Sequence, residues 1–255
     1  MVDPTLRFSN RVSAYVRTRP SYPAEVLQTL RDEYGLNPSS VIADIGSGTG
    51  LSARMFLANG NTVYGVEPNR EMREAGENLL SPEFPHFQSM ASTAEATGLP
   101  RACVDFVTAG QAFHWFDRGK CRVEFARILK PGGWVALMWN ERVTDATPFL
   151  RDYERMLRQY APEYEIVDHS KLDSTVLQAW FGGPFRLHTF SNMQHFDHEG
   201  LRGRLESSSY AVEASDPNYG PMMQELDRMF HAHSKDGMVD FEYRTKLYCG
   251  QLHSA

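Results

Sequence analysis

The sequence predicts an α/β unit built on a mostly parallel sheet with helices on both faces, and three observations support this. Short β-branched runs alternate with helical stretches from residue 41 to residue 139. A glycine-rich turn, Asp44-Ile45-Gly46-Ser47-Gly48-Thr49-Gly50, joins the first run to the first helix of that series, and an acid, Glu67, ends the second run. With 255 residues, 42% of them hydrophobic and 23% charged, the chain has a globular composition and enough length for one substantial core.

Val41 to Ile45 reads as the first strand, entered from the turn-like Asn37-Pro38-Ser39-Ser40 and ended by Gly46. From Thr49 to Asn59 the positions of Leu51, Met55 and Phe56, with Ala53 and Ala58, suit a helix packed on a sheet, and Gly60-Asn61 stops it. Thr62 to Val66 is a second strand, and Glu71 to Leu80 a second helix bounded by Pro68-Asn69 and Ser81-Pro82. Phe84 to Met90 holds a short third strand, Val104 to Ala109 a fourth, Lys120 to Leu129 a helix, and Trp134 to Trp139 a fifth strand after Pro131-Gly132-Gly133. Beyond Asn140 the alternation stops. Thr147 to Tyr160 and Pro221 to His233 read as helices, and Phe185 to Phe190 and Glu242 to Leu252 as a late antiparallel pair at the sheet edge. The expected organisation is one domain: an N-terminal cap over 1–35, a binding core over 36–140, a cap insertion with one edge strand over 141–240, and a final edge strand over 241–255.

A formal net charge of −6 disfavours a nucleic-acid partner, and no stretch approaches the ~18 apolar residues of a membrane span. The opening MVDPTLRFSN has no apolar signal core, so a cytoplasmic protein is expected. Cys103, Cys121 and Cys249 are far apart and lack CxxC spacing, which points to reduced thiols rather than a disulfide framework or structural zinc. His195-Phe196-Asp197-His198 and His231-Ala232-His233 lack a third ligand at a recognisable spacing, so no metal is expected. The sequence carries no signal for oligomeric state.

The chemistry concentrates on the glycine turn. Its glycines let the backbone turn sharply and let a ligand approach, while the following helix offers free N–H groups. Glu67 lies 23 residues after Asp44, where a carboxylate can accept hydrogen bonds from both hydroxyls of a ribose. A nicotinamide dinucleotide needs G-x-G-x-x-G, but this chain has G-x-G-x-G with Leu51 in the third glycine's place. Asp44, two residues ahead of Gly46, suits an ammonium and would repel a pyrophosphate. His114-Trp115-Phe116 follows the fourth strand, at the strand carboxyl ends where open α/β sheets bind ligands. Tyr15, Arg19 and Tyr22 lie on a segment that either closes over the ligand, with Arg19 gripping a carboxylate, or forms a solvated helix face. Trp134 and Trp139 flank the fifth strand and read as core or rim.

The segments VIADIGSGTG, VYGVEPN, STAEATGLP ahead of VDFVTAGQAFHWFD, and EFARILKPGGWVALMWNE, in order over about residues 40 to 141, resemble class I S-adenosylmethionine-dependent methyltransferases of the small-molecule "type 11" group. FSNRVSAYVRTRPSYP, QAFHWFD and YRTKLYCGQL are further similar to the branch containing trans-aconitate methyltransferases. The resemblance implies a Rossmann-like seven-stranded sheet with an antiparallel last strand. The implied reaction moves a methyl group from S-adenosylmethionine to a small molecule, a carboxylate being favoured over other O-, N- or C-acceptors. A non-catalytic S-adenosylmethionine-binding protein acting through a partner is the alternative, and an NAD-dependent oxidoreductase a more remote one. Carried onto this chain, the resemblance places Asp44, Gly46, Ser47 and Gly48 along the methionine part of the cofactor, Glu67 at the ribose, and Pro68 with Met72 beside the adenine. Thr93 stands where the family commonly has an adenine-binding Asp, with the Ala94 backbone next to it, and Gln111 sits beside the sulfonium. Arg19 joins the cofactor set, Tyr15, His114, Trp115 and Asn140 the acceptor pocket, and His114 is the candidate for proton transfer.

Overall fold

A computed structural model describes residues 18–164, 174–208 and 210–253. Helix α1 (Ala24–Tyr34) precedes β1 (Val41–Ile45), α2 (Leu51–Ala58), β2 (Thr62–Val66), α3 (Arg70–Leu80), β3 (Phe87–Met90) and β4 (Val104–Gly110). A short 3-10 turn (Phe113–Trp115) leads to α4 (Arg118–Ile128), β5 (Leu129–Arg142), α5 (Pro148–Tyr160) and α6 (Ser174–Phe181). Then come β6 (Phe185–Phe196), α7 (His198–Glu206), α8 (Tyr219–His233) and β7 (Val239–Gly250).

The seven strands lie in the order β3-β2-β1-β4-β5-β7-β6. β3, β2, β1, β4 and β5 pair in parallel, while β7 runs antiparallel to both neighbours. This is the Rossmann-like arrangement with an antiparallel last strand that the sequence predicts. Period-2 alternation gives the sheet two faces. Ile42, Val63, Phe106, Ala136 and Met138 join Val26 and Leu30 of α1 and Phe56 of α2 on one face. Ala43, Ile45, Val107, Val135 and Leu137 join Phe125 of α4 and Trp180 and Phe181 of α6 on the other.

The later elements depart from the sequence reading. β5 begins at Leu129, through the Pro131-Gly132-Gly133 turn, and runs to Arg142 rather than Trp139. β6 continues to Phe196 rather than stopping at Phe190, and β7 begins at Val239 and ends at Gly250 rather than spanning Glu242 to Leu252. The extra length is held by the β6–β7 ladder, paired without a break from Phe185↔Gly250 to Phe196↔Val239. Beyond the strand ends α5, α7 and α8 build a second core with Phe196, Val239, Phe241 and Tyr243. This layer overhangs the carboxyl ends of β1, β4 and β5, and the site lies beneath it.

Candidate active site

The turn after β1 is shaped by three left-handed glycines, Gly46 (φ 66°), Gly48 (φ 57°) and Gly50 (φ 86°). At Gly46 a side chain would collide as well as strain the backbone, since a Cβ there would lie 2.6 Å from Ala112 Cβ. The N–H groups of Gly46 and Ser47 donate to Val66 O at 2.8 and 3.2 Å, which anchors the turn to the end of β2.

Glu67 completes that anchor. Its Oε2 accepts from Gly48 N at 2.9 Å and its Oε1 from Asn69 N at 2.8 Å, while Asn69 caps α3 by accepting from Met72 N. Burial pushes the Glu67 carboxyl up, against the lowering effect of those two backbone donors and of Arg73. A carboxylate offers about four lone-pair positions, so two remain for a diol after the backbone donors are served. Pro68, Met72, Thr93 and Ala94 lie on the segments that follow β2 and β3. Met72 and Ala94 are buried, and a Cβ on Gly48 would touch the Met72 methyl at 3.3 Å.

Asp44 is fully buried at the end of β1, accepting from Ser52 Oγ at 2.6 Å and Thr108 Oγ1 at 2.8 Å. Burial pushes its carboxyl up to about 6; hydrogen bonds from Ser52 and Thr108 oppose this and the Glu67 charge adds to it. It therefore ties β1 to the first turn of α2 and to β4, with Ser52 rather than Asp44 itself in the cavity wall.

A cavity of about 430 Å³ opens at the glycine turn and runs along the ends of β4 and β5 under the overhanging layer. Gly46, Ser47, Gly48, Gln111, His114, Trp115, Arg19 and Asn140 all line it, so the structure brings together eight of the residues the sequence singles out. Gln111 has φ 56°, an uncommon left-handed conformation for a residue with a side chain, and its Nε2 donates to Asn140 O at 3.0 Å. The rings of His114 and Trp115 lie 4.7 Å apart between centroids. Asn140 acts as a structural tie, because its Nδ2 donates to Pro20 O and Ser21 O and its Oδ1 accepts from Thr245 and Asn192. Arg19 donates to Ser207 O at 2.8 Å, which fastens the segment before α1 to α7. Tyr15 lies outside the described residues.

The sequence reading missed the far wall. Arg142, Glu154, Tyr164, Arg204, Tyr210 and Tyr243 line the cavity from β5, β7 and the overhanging layer, beside Trp139, which belongs to the core at its rim as expected. Trp139 Nε1 and Arg142 Nη1 are buried donors with no hydrogen-bond partner among the described residues. Two signals for these residues exist in the sequence: Arg142 continues the Met138, Asn140 alternation of β5, and Arg204 falls three residues after Leu201 on the apolar phase of a helix. Among the described residues no group of three or more His, Cys, Asp or Glu side chains is placed to hold a metal, and no helix is long and apolar enough to cross a membrane.

These residues fit S-adenosylmethionine: a glycine turn at a helix start, a buried acid beside it, and at the end of β2 a carboxylate with free lone pairs. Comparison with known proteins agrees. Residues 43–137 match the family model described as "Methyltransferase domain". An uncharacterised methyltransferase of Schizosaccharomyces pombe is 31% identical over 153 residues, 60% of this chain and 59% of its own length. The chain spans about three fifths of the length of such curated relatives. Among solved structures, a protein named as a type II methyltransferase from Anaeromyxobacter dehalogenans superposes with a TM-score of 0.70 at 20% identity, covering 93% of this chain and 99% of that one. Phosphoethanolamine N-methyltransferase 2 of Haemonchus contortus, in complex with phosphomonomethylethanolamine and S-adenosylhomocysteine, gives 0.54 at 17% identity, covering 94% and 56%. Residues 43–137 thus match a methyltransferase domain model, and the sheet that carries them has the fold of solved methyltransferase structures.

Proposed function

We propose that the protein transfers a methyl group from S-adenosylmethionine to a small-molecule acceptor and that the receiving atom is a carboxylate oxygen. The observation that carries the acidic acceptor is the charge of the cavity, while the choice of a carboxylate oxygen as the receiving atom rests on the likeness to the trans-aconitate branch. Among the described residues its wall holds four arginines, Arg19, Arg142, Arg158 and Arg204, against two glutamates, Glu141 and Glu154, in a chain whose net charge is −6. Glu141 is already engaged by Lys246 at 2.6 Å. A concave cationic wall concentrates anions and orients them by charge-assisted hydrogen bonds.

Bound S-adenosylmethionine supplies an electrophilic methyl on a sulfonium, and its transfer is an in-line displacement governed by positioning. The proposed division of labour is the one the resemblance implies, supported by the presence of Gly46, Ser47, Gly48 and Gln111 on the cavity wall. Glu67 accepts from the ribose; the Gly46 to Gly48 backbone and Asp44 form the methionine end; Gln111 borders the reacting end; Pro68, Met72, Thr93 and Ala94 enclose the adenine. Trp139 Nε1 is a donor without a partner among the described residues and fits an acceptor oxygen. A carboxylate, with a solution pKa near ~4, is an anion at neutral pH and needs no base, so His114 orients or packs the acceptor alongside Trp115. The carboxylate assignment accords with the likeness to the trans-aconitate branch, and the three free cysteines accord with a cytoplasmic setting.

The test is a panel of mono-, di- and tricarboxylic acids incubated with labelled S-adenosylmethionine and resolved by mass spectrometry. The expected product is one methyl heavier and is cleaved by mild alkali, as an ester is. Methyl transfer only to amines, phenols or carbon acids would overturn the carboxylate assignment.

A further inference from the structure

Arg204 is buried on α7, with 5% of its surface exposed, on the same face as Leu201 and Leu205. Its Nη1 donates to Ser208 Oγ at 2.7 Å and its Nε to Tyr243 Oη at 3.2 Å, and it meets no carboxylate among the described residues. Burying a cation without a counter-ion is strongly unfavourable, so such a side chain marks a place where a ligand completes the charge.

Arg142 stands beside it at the end of β5. Tyr243 is its partner in the β5–β7 register, and the same tyrosine holds Arg204, which joins the two arginines through one residue. The acid serving Arg142 is Glu154, at 2.6 Å, but Glu154 also takes Arg158 at 3.0 Å. Among the described residues Glu154 therefore serves both Arg142 and Arg158, and no carboxylate pairs with Arg204. Arg142 Nη1 has no acceptor among the described residues. At Tyr210 burial raises the phenol, while Arg204 and Arg142 lower it below the usual tyrosine value.

We propose that Arg142 and Arg204 anchor an anionic group of the acceptor other than the group that receives the methyl, so that the acceptor carries a carboxylate or phosphate set apart from its nucleophile. This rests on reading the cavity as the acceptor site. The separation follows from register. Gly110 pairs with Met138, Gln111 N donates to Met138 O and Gln111 Nε2 to Asn140 O, so the reacting end lies level with Met138 to Asn140. Arg142 is two to four residues further along β5, about 7–13 Å at the rise of an extended strand. A two-ended ligand spans that distance with its nucleophile at Gln111 and its charged end at the arginines.

The experiment is calorimetric titration of the protein saturated with S-adenosylhomocysteine, using glutarate, 3-phosphonopropionate and neutral glutaramide as probes. Both anions are expected to bind at least tenfold more tightly than glutaramide. Arg204→Met and Arg142→Met are each expected to weaken anion binding tenfold or more while changing S-adenosylhomocysteine affinity less than twofold. The tighter of the two anions assigns the charged group as carboxylate or phosphate. Unchanged anion affinity in Arg204→Met, equal binding of glutaramide, or no anion binding to the wild type would each overturn the proposal. If near-ultraviolet circular dichroism shows Arg204→Met unfolded, Arg204→Lys replaces it, with a three- to tenfold loss expected and no loss contradicting the anchor. Because no turnover is read, anion binding that depends on Arg204 stands even if the methyl proves to go to nitrogen or carbon, so the anchor and the carboxylate reading fail separately.

Discussion

Replacing Asp44 by Asn tests how the buried acid beneath the glycine turn is used. Its carboxyl is pushed from 3.8 up to about 6, chiefly by burial, so the folded chain binds its proton more tightly than the unfolded chain does. The sign follows from linkage. This group adds most stability below pH 3.8, and its contribution falls as pH rises from 3.8 through about 6. At 1.36 kcal/mol per pH unit the full effect is about 3 kcal/mol, an order-of-magnitude figure. Asn keeps the shape, and the hydroxyls of Ser52 and Thr108 can turn to accept from its amide. Urea unfolding of wild type and Asp44→Asn should therefore give a stability difference that moves in the mutant's favour by about 2 kcal/mol between pH 4 and pH 7. Saturating S-adenosylhomocysteine should reverse the order at pH 7, because the mutant lacks the charge proposed to meet the ligand's ammonium. A pH-independent difference would refute the burial argument, and equal ligand affinity would remove Asp44 from the cofactor site.

Three further outcomes are expected. Glu67→Ala removes two charge-assisted hydrogen bonds to the ribose, on the order of 1.5–3 kcal/mol each, so calorimetry should show S-adenosylhomocysteine affinity lower by roughly ten- to a thousandfold on a folded protein. Gly46→Ala forces a side chain into left-handed backbone 2.6 Å from Ala112 Cβ and should lower the urea midpoint by the equivalent of at least about 1–3 kcal/mol, with cofactor binding lost in parallel. His114→Ala should slow kcat by less than about tenfold, ~1.4 kcal/mol of barrier, and the wild-type kcat should stay flat between about pH 6 and 8; a kcat rising through a pKa of about 6 to 7 would instead make His114 a general base.

The cofactor half of the molecule was legible because its signals are local. The β1 turn needs glycine at Gly46 for both conformation and space, and the central runs between Val41 and Met138 are buried on two faces and hence largely apolar. The acceptor half was not. Beyond Phe190 the covered face of β6 is itself polar, Asn192 donating to Ser21 O and Gln194 to Thr18 O, so no hydrophobic alternation marks it and pairing with β7 alone defines it as a strand. α7 contains Gly200 and Gly203, poor helix formers, and is held by the Asp197 cap on Gly200 N at 2.7 Å. The same contrast separates the site residues. Glu67 and Gln111 follow strands at recognisable offsets, whereas Arg142, Arg204 and Tyr243 meet through tertiary contacts between β5, α7 and β7 that no linear spacing announces.

The most direct test is to follow a labelled methyl from S-adenosylmethionine into a metabolite extract, with total RNA, DNA and protein as parallel acceptors. Label is expected in acidic small molecules, with one S-adenosylhomocysteine formed per methyl transferred and loss of both in Glu67→Ala. Tight S-adenosylhomocysteine binding with no transfer to any metabolite, or comparable label in nucleic acid or protein, would contradict methyl transfer to a small acid.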